Sequence, residues 1–319
     1  MSKYAFGVDI GGTTVKMGLF DTEGNLLDSW EIKTRTEDGG RQILDDIAGS
    51  MEKTLEMKGI SREDVIGAGM GVPGPVGADG TVFRCVNLGW DVFNVEKEMS
   101  GKCGWKVKAG NDANVAALGE MWMGGGKGCR NIVMVTLGTG VGGGVIIDGK
   151  ILAGFHGAAG EIGHIPVRDD EKLVCGCGKH GCLEQYASAT GIARLAKEYL
   201  MEHEDASVLR EISDLTAKDV FDAAKQGDTV ALEQVENFGK TLGKALAAIA
   251  CVADPEAFVI GGGVAKAGRI LIDVIQKYYC QYAFHASRNA EFRTAVLGNS
   301  AGIYGGVKMV LPPQDFDCQ

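Results

Sequence analysis

The sequence predicts an α/β protein of two lobes that share one plan. A strand, a Gly-Gly turn and a second strand open the chain in YAFGVDIGGTTVKMGLFD, and the same unit returns in NIVMVTLGTGVGGGVIIDGKILAG. Apolar residues with helical spacing follow each unit. With 319 residues, the chain is long enough for one large domain or two of ordinary size.

In the first half, a TEGN turn and the run LLDSWEI extend the opening unit into a three-stranded meander. Apolar periodicity then predicts a helix over residues 42–58, and Ser61 and Asp64 have the spacing of a capping box. The run VIGAGMGVPGPV predicts the next strand. The glycine-rich residues 124–128 mark the expected boundary between the halves.

In the second half, the sequence after the repeated unit is mainly helical. Helices are predicted over residues 191–203, 216–226 and 230–252, the second of them with a capping box at Thr216 and Asp219. A short strand, AFVIGGG, and a helix that begins near Ala265 come next.

Charge and cysteine content limit the partners and the compartment. Lys and Arg number 32 against 42 Asp and Glu, so the formal charge is −10, which argues against nucleic acid or an anionic membrane as a partner. Asp9 interrupts the position of a leader's apolar core, and GTGVGGG breaks the longest charge-free run, residues 131–147. Nine cysteines without a leader predict reduced thiols in a cytoplasmic protein with no membrane span.

Glycine is in excess, with 49 residues, and three glycine clusters each end an apolar strand. The clusters are Gly11-Gly12-Thr13-Thr14, Gly138-Thr139-Gly140 and Gly261-Gly262-Gly263. A backbone N–H with no side chain beside it approaches a phosphate oxygen closely, and a threonine hydroxyl adds a donor. Hairpin turns alone explain one such cluster, whereas phosphate binding explains all three together.

Two better-known phosphate motifs do not fit. A P-loop needs Lys followed by Ser or Thr, but Lys127 precedes Gly128. Gly138, Gly140 and Gly143 match the dinucleotide pattern G-x-G-x-x-G, yet the chain continues as a strand where that motif opens a helix. A dinucleotide site is therefore disfavoured.

The segment CGCGKHGCLEQYAS places Cys175, Cys177 and Cys182 within eight positions, separated by glycines. Three thiolates so close together suit a tetrahedral Zn²⁺ site that lacks one ligand. His164 or His180 is the expected fourth ligand, and spacing alone leaves both open. The other six cysteines are interpreted as small buried residues or surface thiols.

Asn111 and Asp112 stand where a predicted strand gives way to a helix at about Ala113. Asp at such a position is commonly the helix N-cap. It is also suited to act as a catalytic base for phosphoryl transfer to a hydroxyl, and the helix N-terminus favours its ionised form. The two roles are compatible.

The repeated strand–turn–strand unit resembles the phosphate loops of the actin-like ATPase and sugar kinase superfamily. The resemblance implies a ribonuclease H-like α/β fold of two lobes, with ATP and sugar in the interdomain cleft. Asp9 would help hold the Mg²⁺ that accompanies ATP. Residues 11–14 and 138–140 would surround the phosphates, and Gly262 and Gly263 would lie beside the adenosine. Lys16 is an additional phosphate partner or an ordinary outward lysine.

A more specific resemblance is to the ROK family of sugar kinases and repressors. It rests on GAAGEIGHIPV followed by CGCGKHGCLEQYASATG, and it extends from DIGGT to IGGGV. The family's zinc ligands fall on His164, Cys175, Cys177 and Cys182, which favours His164 over His180. We predict an N-terminal lobe of residues 1–122, joined by the last helix at about 303–319, and a C-terminal lobe of residues 123–302.

The ROK resemblance also implies an activity, the ATP-dependent phosphorylation of a hexose with Asp112 as the base. The family's sugar ligands match Asn111, Asp112, Glu161, His164 and Glu184, and the loops GVPGPV and NLGW resemble segments that line the sugar site. GCLEQYASATG resembles ROK kinases of D-glucose, which would yield glucose 6-phosphate. Fructose, N-acetylmannosamine and N-acetylglucosamine are the alternative substrates.

Two other classes of function are disfavoured by the sequence. ROK repressors carry the same fold behind a DNA-binding domain, for which a first strand near Lys3 leaves no room, and the acidic charge points the same way. A sugar-binding module without catalysis is disfavoured because Asp112 and the glycine clusters are present. The resemblance implies a homodimer that binds a hexose and ATP and no nucleic acid.

Overall fold

The computed structural model describes residues 3–312. The strands are β1 (Tyr4–Ile10), β2 (Thr14–Asp21), β3 (Leu26–Lys33), β4 (Val65–Val72), β5 (Thr81–Val82), β6 (Phe93–Asn94), β7 (Val107–Asn111), β8 (Ile132–Leu137), β9 (Val141–Ile147), β10 (Lys150–Ile151), β11 (Ala257–Gly261) and β12 (Glu291–Thr294). The helices are α1 (Glu37–Gly40), α2 (Ile43–Lys58), α3 (Val95–Cys103), α4 (Asp112–Met123), α5 (Glu184–Ala187), α6 (Ala189–Glu202), α7 (Ala217–Lys225), α8 (Thr229–Ala253), α9 (Arg269–Tyr282) and α10 (Ala301–Val310).

The chain separates into two compact units. Within the described residues, the first unit contains residues 3–128, 149–159 and 299–312, and the second contains residues 129–148 and 160–298. The helix predicted at about 303–319 corresponds to α10, which belongs to the first unit, and its residues 313–319 lie outside the described chain.

The first unit is built on a five-stranded sheet in the order β3-β2-β1-β4-β7. β1, β2 and β3 pair antiparallel and form the predicted meander, whereas β4 and β7 join β1 in parallel. One face of the sheet packs against α2 and α3, and α4 and α10 cover the other. The carboxyl ends of β1, β4 and β7 consequently lie at one edge.

Helix α10 lies unusually close to the first sheet because glycines face each other across the contact. A side chain at Gly69 of β4 would overlap the carbonyl oxygen of Gly306, and one at Gly7 of β1 would overlap that of Ile303. Where α4 packs against α10, a side chain at Gly119 of α4 would overlap the Ala301 carbonyl oxygen. These glycines serve helix packing, which local sequence patterns do not record.

The second unit repeats the arrangement with four strands in the order β9-β8-β11-β12. β8 and β9 are antiparallel, and β11 and β12 continue in parallel, as β4 and β7 do in the first unit. The largest core of this unit lies between the sheet and helices α5 to α9, where Phe221, Phe258 and Tyr279 are fully buried.

Three local predictions can be compared with these elements. The Thr216 and Asp219 capping box is present at the start of α7. The box predicted at Ser61 is wrong: Ser61 makes no side-chain cap bond, and the three-residue 3-10 turn Arg62–Asp64 leads directly into β4. The helix expected near Ala265 begins at Arg269, after the 3-10 turn Gly263–Ala267 and Gly268, whose φ is +80°.

None of the helices within residues 3–312 combines the length and the apolar character that a bilayer crossing requires.

Candidate active site and metal centre

The carboxyl ends of three parallel strands bring two aspartates together in the first unit. The register pairs Asp9 of β1 with Gly71 of β4, and Val72 with Asn111 of β7. Ligands of open α/β sheets bind at this edge. A Cβ built on Gly71 would lie 3.4 Å from Asp9 Oδ1 and 3.5 Å from the Asp112 Cα, so both aspartates lie beside Gly71.

Asn111, and not Asp112, is the N-cap of α4. Asn111 Oδ1 accepts the N–H of Asn114 at 3.2 Å, and its Nδ2 donates to the Gly74 carbonyl at 3.2 Å and to Asp112 Oδ1 at 3.0 Å. Asp112 is the first residue of the helix, and its Oδ1 also accepts the N–H of Ala113 at 2.8 Å. Because Asn111 supplies the cap, Asp112 is oriented by two donors without being needed to end the helix.

The carboxyl group of Asp9 is partly buried at the end of β1. It lies between Gly71 and Gly302 of α10, where an added Cβ would come within 2.6 Å of Asp9 Cγ. Burial, and to a lesser degree the charge of Asp112, raise the pKa of Asp9 from 3.8 to about 6, against the opposing effect of Lys16 on β2. A divalent cation would favour the ionised form of such a carboxylate.

Asp9 is expected to make the stability of the cation-free protein depend on pH. Its folded-state pKa lies above 3.8, so folding takes up a proton, and the free energy of unfolding falls as the pH rises from about 4 to about 6. At about 1.4 kcal/mol per pKa unit, Asp9→Asn should stabilise the protein by up to about 3 kcal/mol near neutral pH. Melting temperatures should show a gain at neutral pH that shrinks in acid.

Asp28 offers a control of the opposite sign. It pairs with Lys58 at 2.7 Å, and the hydrogen bond from Lys58 lowers the pKa of Asp28. Stability from this pair is present above the unfolded-state pKa and is lost in acid. Asp28→Asn should therefore lower the melting temperature near neutral pH and have less effect in acid. If Asp9→Asn also lowered it, the role of Asp9 as a destabilising buried acid would be wrong.

The turn between β1 and β2 contains the first glycine cluster. Gly11 donates its N–H to the Thr14 carbonyl at 2.9 Å and closes the turn from within. Thr34 holds it from outside, with its N–H on the Thr13 carbonyl at 2.9 Å and its hydroxyl on the Gly11 carbonyl at 2.7 Å. Gly12 and Thr13 are exposed. The turn presents backbone groups at the carboxyl end of β1.

The turn between β8 and β9 carries the second cluster, with Thr139 exposed at its tip. Gly138 donates its N–H to the Gly140 carbonyl at 3.0 Å and accepts the N–H of Ala189 at 2.8 Å. Gly262 follows the parallel strand β11 with φ at +86°, and a side chain there would overlap the backbone of the last residue of β8. The second and third clusters therefore meet at one edge of this sheet.

A cavity of about 300 Å³ lies beside the third cluster, within the second unit. Gly263 and Val264 line one side, and Ala217, Lys218 and Phe221 of α7 line another. The sequence did not indicate the residues of α7, because apolar residues at helical spacing also describe an ordinary core face.

Four side chains of the second unit form the predicted metal cluster. The ligand atoms of His164, Cys175, Cys177 and Cys182 all lie within 4.8 Å of one another. Cys177 Sγ lies 3.6 Å from Cys182 Sγ, and Cys175 Sγ lies 3.8 Å from His164 Nδ1. Three thiols and one imidazole are a donor set typical of tetrahedral zinc, so these residues fit such an ion.

Chain pairing places His164, and not His180, beside the three cysteines. Pro166 forms an antiparallel bridge with Cys182, which brings the neighbouring His164 beside the cysteines. His180 is exposed, and its Nδ1 lies 3.2 Å from the Leu173 carbonyl oxygen, away from the cluster.

The three thiols of the cluster differ in the direction of their pKa shifts. Burial raises the pKa of Cys175 to about 12 and raises that of Cys182, whereas the backbone N–H of Lys179 lowers the pKa of the exposed Cys177. The Cys175 thiol donates to Glu184 Oε1 at 2.9 Å. Metal binding would therefore release protons from the buried thiols.

The two glutamates from the sequence analysis lie in the second unit but differ in environment. Glu161 is exposed and precedes the 3-10 turn Ile162–His164 without making a side-chain cap bond. Glu184 begins α5, and its Oε1 lies 3.6 Å from His164 Nδ1. Its Oε2 lies where a side chain on Gly140 would be, 2.6 Å from a Cβ built on that glycine. Glu184 thus links the metal cluster to the second glycine turn.

Comparison with known proteins identifies the family. The ROK family profile matches residues 5–312. The chain belongs to the ROK family. The ROK membership and the actin-like α/β fold that the sequence predicted are confirmed.

Several ROK relatives are similar over almost their whole length. The glucokinase of Halalkalibacterium halodurans is 46% identical over 309 residues, which cover 95% of this chain and 94% of the relative. The N-acetylgalactosamine kinase of a Shewanella species is 32% identical over 311 residues, 94% of each chain. A crystal structure of a ROK family glucokinase from Streptomyces griseus, in complex with glucose and AMPPNP, is 36% identical with a TM-score of 0.71, covering 96% of this chain and 98% of that one.

Proposed function

We propose that this ROK protein transfers the γ-phosphoryl group of ATP to D-glucose and produces glucose 6-phosphate and ADP. The observation that carries the proposal is the pair of aspartates, Asp9 and Asp112, at the carboxyl edge of the first sheet beside a glycine turn. Relatives named glucokinase, at 46% and 36% identity, support glucose as the hexose.

In this proposal Asp112 is the catalytic base. The 6-hydroxyl oxygen of the sugar bonds to the γ-phosphorus, the bond from that phosphorus to the bridging oxygen breaks, and ADP leaves with the electron pair. Asp112 accepts the hydroxyl proton. The hydrogen bonds from Ala113 and Asn111 to Oδ1 orient the carboxylate for this transfer.

The glycine clusters are proposed to bind the nucleotide. Backbone N–H groups of residues 11–14 and 138–140 would contact the phosphates, and Gly262 and Gly263 would lie beside the adenosine. The apolar cavity next to Gly263 supports that placement, because it has room for an adenine ring. Asp9 would help hold Mg²⁺. In a chain with a formal charge of −10, Mg²⁺ and N–H groups must offset most of the phosphate charge.

Five side chains are proposed to bind the sugar hydroxyls: Asn111, Asp112, Glu161, His164 and Glu184. Hydroxyls both donate and accept hydrogen bonds, so carboxylates, an amide and an imidazole discriminate their positions where an apolar pocket cannot.

Zinc is proposed as a structural ion held by His164, Cys175, Cys177 and Cys182. When bound, it would crosslink the 3-10 turn Ile162–His164 to the cysteine-containing residues 175–182 and fix the orientation of the His164 ring. The distances within the cluster support this role. We also propose that the protein is cytoplasmic, because the zinc site needs reduced thiols. The ROK resemblance supports a homodimer that binds no nucleic acid.

A coupled kinase assay tests the proposal. With ATP and Mg²⁺, kcat/KM should be highest for D-glucose among glucose, fructose, N-acetylmannosamine, N-acetylglucosamine and N-acetylgalactosamine. A higher value for an N-acetylated hexosamine would change the substrate. Absence of turnover with every hexose would reject the kinase, and specific binding to promoter DNA would favour a regulator.

A further inference from the structure

Residues 34–40, here called the strap, connect two turns of the first unit that are far apart in sequence. The strap leaves β3, runs through the single turn α1 and ends just before α2. One end contacts the Gly11–Thr14 turn, and the other contacts the turn Leu88–Trp90.

At the first end, Thr34 is a buried polar residue with 4% of its surface exposed. Its backbone N–H and its hydroxyl bind the carbonyl oxygens of Thr13 and Gly11 at 2.9 and 2.7 Å. These two bonds hold both sides of the glycine turn. Without the hydroxyl, the carbonyl of Gly11 would lose its side-chain donor.

At the second end, Trp90 donates its indole N–H to the Gly40 carbonyl at 3.2 Å. A Cβ on Gly40 would lie 2.8 Å from that indole nitrogen and would overlap the Leu88 carbonyl oxygen. Gly39 and Gly89 are also in contact, because a Cβ on Gly89 would lie 3.0 Å from the Gly39 Cα. Only glycines permit this approach.

Between the ends, the backbone has an uncommon shape. Asp38, Gly39 and Gly40 have φ values of 54°, 71° and 66°, all left-handed. The position of Asp38 costs about 1 kcal/mol for a residue with a side chain. Such a shape persists where contacts at both ends determine it.

The Leu88–Trp90 turn is also connected to the proposed catalytic residues. Trp90 and Cys85 exchange both backbone hydrogen bonds at 3.0 Å. Cys85 packs near Gly74, where an added Cβ would lie 3.9 Å from its Cα, and Gly74 accepts the side-chain N–H of Asn111 at 3.2 Å. A continuous set of contacts therefore leads from Asn111 through the strap to Gly11.

We propose that the strap positions the phosphate turn and the Leu88–Trp90 turn relative to each other, with Thr34 as a positioning residue, so that sugar and nucleotide binding are coupled within the first unit. The inference rests on the proposed function. It predicts that Thr34 affects the Leu88–Trp90 turn and that Trp90 affects the Gly11–Thr14 turn, although neither residue contacts the turn that it affects.

The first experiment removes the hydroxyl of Thr34. Thr34→Val should raise KM for ATP about fivefold or more, since the partly buried carbonyl of Gly11 loses its side-chain donor. Thr34→Ser keeps the hydroxyl and should restore KM to within about twofold. Thr54→Val is the matched control, because Thr54 is equally buried and donates to the Ser50 carbonyl within α2. Equal effects of Thr34→Val and Thr54→Val would overturn the role of Thr34.

The second experiment tests coupling through the strap. Trp90→Phe removes the bond to Gly40, and Trp105→Phe is its control, because Trp105 donates its indole N–H to Arg62 instead. If the strap couples the two turns, the effects of Thr34→Val and Trp90→Phe should not be independent. The loss of kcat/KM in the double variant should be smaller than the product of the two single losses by a factor of about two or more. A double variant that matches the product would overturn the coupling.

Amide hydrogen exchange separates this inference from the proposed kinase activity. Thr34→Val should accelerate exchange at residues 88–90, and Trp105→Phe should not. If the wild-type chain phosphorylates no hexose, the proposed function fails. The exchange measurement still tests whether the strap positions the two turns. Unchanged exchange at residues 88–90 in Thr34→Val would overturn it.

Discussion

Asp112→Asn is expected to lower kcat by about 10²–10⁴-fold, the usual range for loss of a general base. The asparagine keeps an oxygen that accepts the bonds from Ala113 and Asn111, so the start of α4 should be preserved. It cannot accept the proton of the sugar hydroxyl at neutral pH. Steady-state kinetics with glucose and ATP, together with calorimetric binding of each, measure the effect.

Asp228→Asn is the matched control. Asp228 is the N-cap of α8 and accepts the N–H of Ala231 at 2.9 Å, and asparagine caps helices equally well. This variant should retain kcat within about twofold. A near-normal kcat for Asp112→Asn would refute the base, and loss of sugar and nucleotide binding would show that Asp112 acts in binding instead.

Loss of the metal cluster is the other large effect that we expect. Elemental analysis should find about one zinc per chain in the wild-type protein. Cys182→Ser should abolish most of the bound zinc and lower the melting temperature by about 5 °C or more, because loss of a structural metal is among the most destabilising changes. In the proposed role, zinc would crosslink two segments that otherwise meet through a few backbone contacts, such as the bridge between Pro166 and Cys182.

Two comparisons make the metal prediction specific. Cys103→Ser alters another buried thiol, in α3, and should leave the zinc content unchanged. His164→Ala should lose zinc and His180→Ala should keep it, because only His164 lies in the cluster. A metal-free wild-type protein with full activity and the same melting temperature would contradict the structural role of zinc.

Features that depend on neighbouring residues were predictable from the sequence. The meander β1 to β3 follows from apolar runs and turn residues, and the box at Thr216 opens α7 as its spacing indicates. The spacing at Ser61 misled because the segment enters β4 after one 3-10 turn, and tertiary pairing overrides a local capping preference.

The parts of the candidate site that are close together in the sequence were predictable too. Asn111 and Asp112 are adjacent in sequence, and three of the four proposed metal ligands lie within eight positions. The placement of Asp9 and Asp112 beside Gly71 was not predictable, because it depends on the register of β1, β4 and β7. The position of His164 beside the cysteines was not predictable either, because it depends on the pairing of Pro166 with Cys182.

The sequence by itself determined the family, the repeated strand–turn–strand unit and the types of residue available for chemistry. It also contains 49 glycines, and those at the strand ends and between the cysteines predict phosphate and metal binding. Only the tertiary structure showed that glycines such as Gly7 and Gly69 make room for α10 against the sheet. The physical reason is that close backbone approach joins segments more than 200 residues apart, and no local pattern records which glycine will face another element.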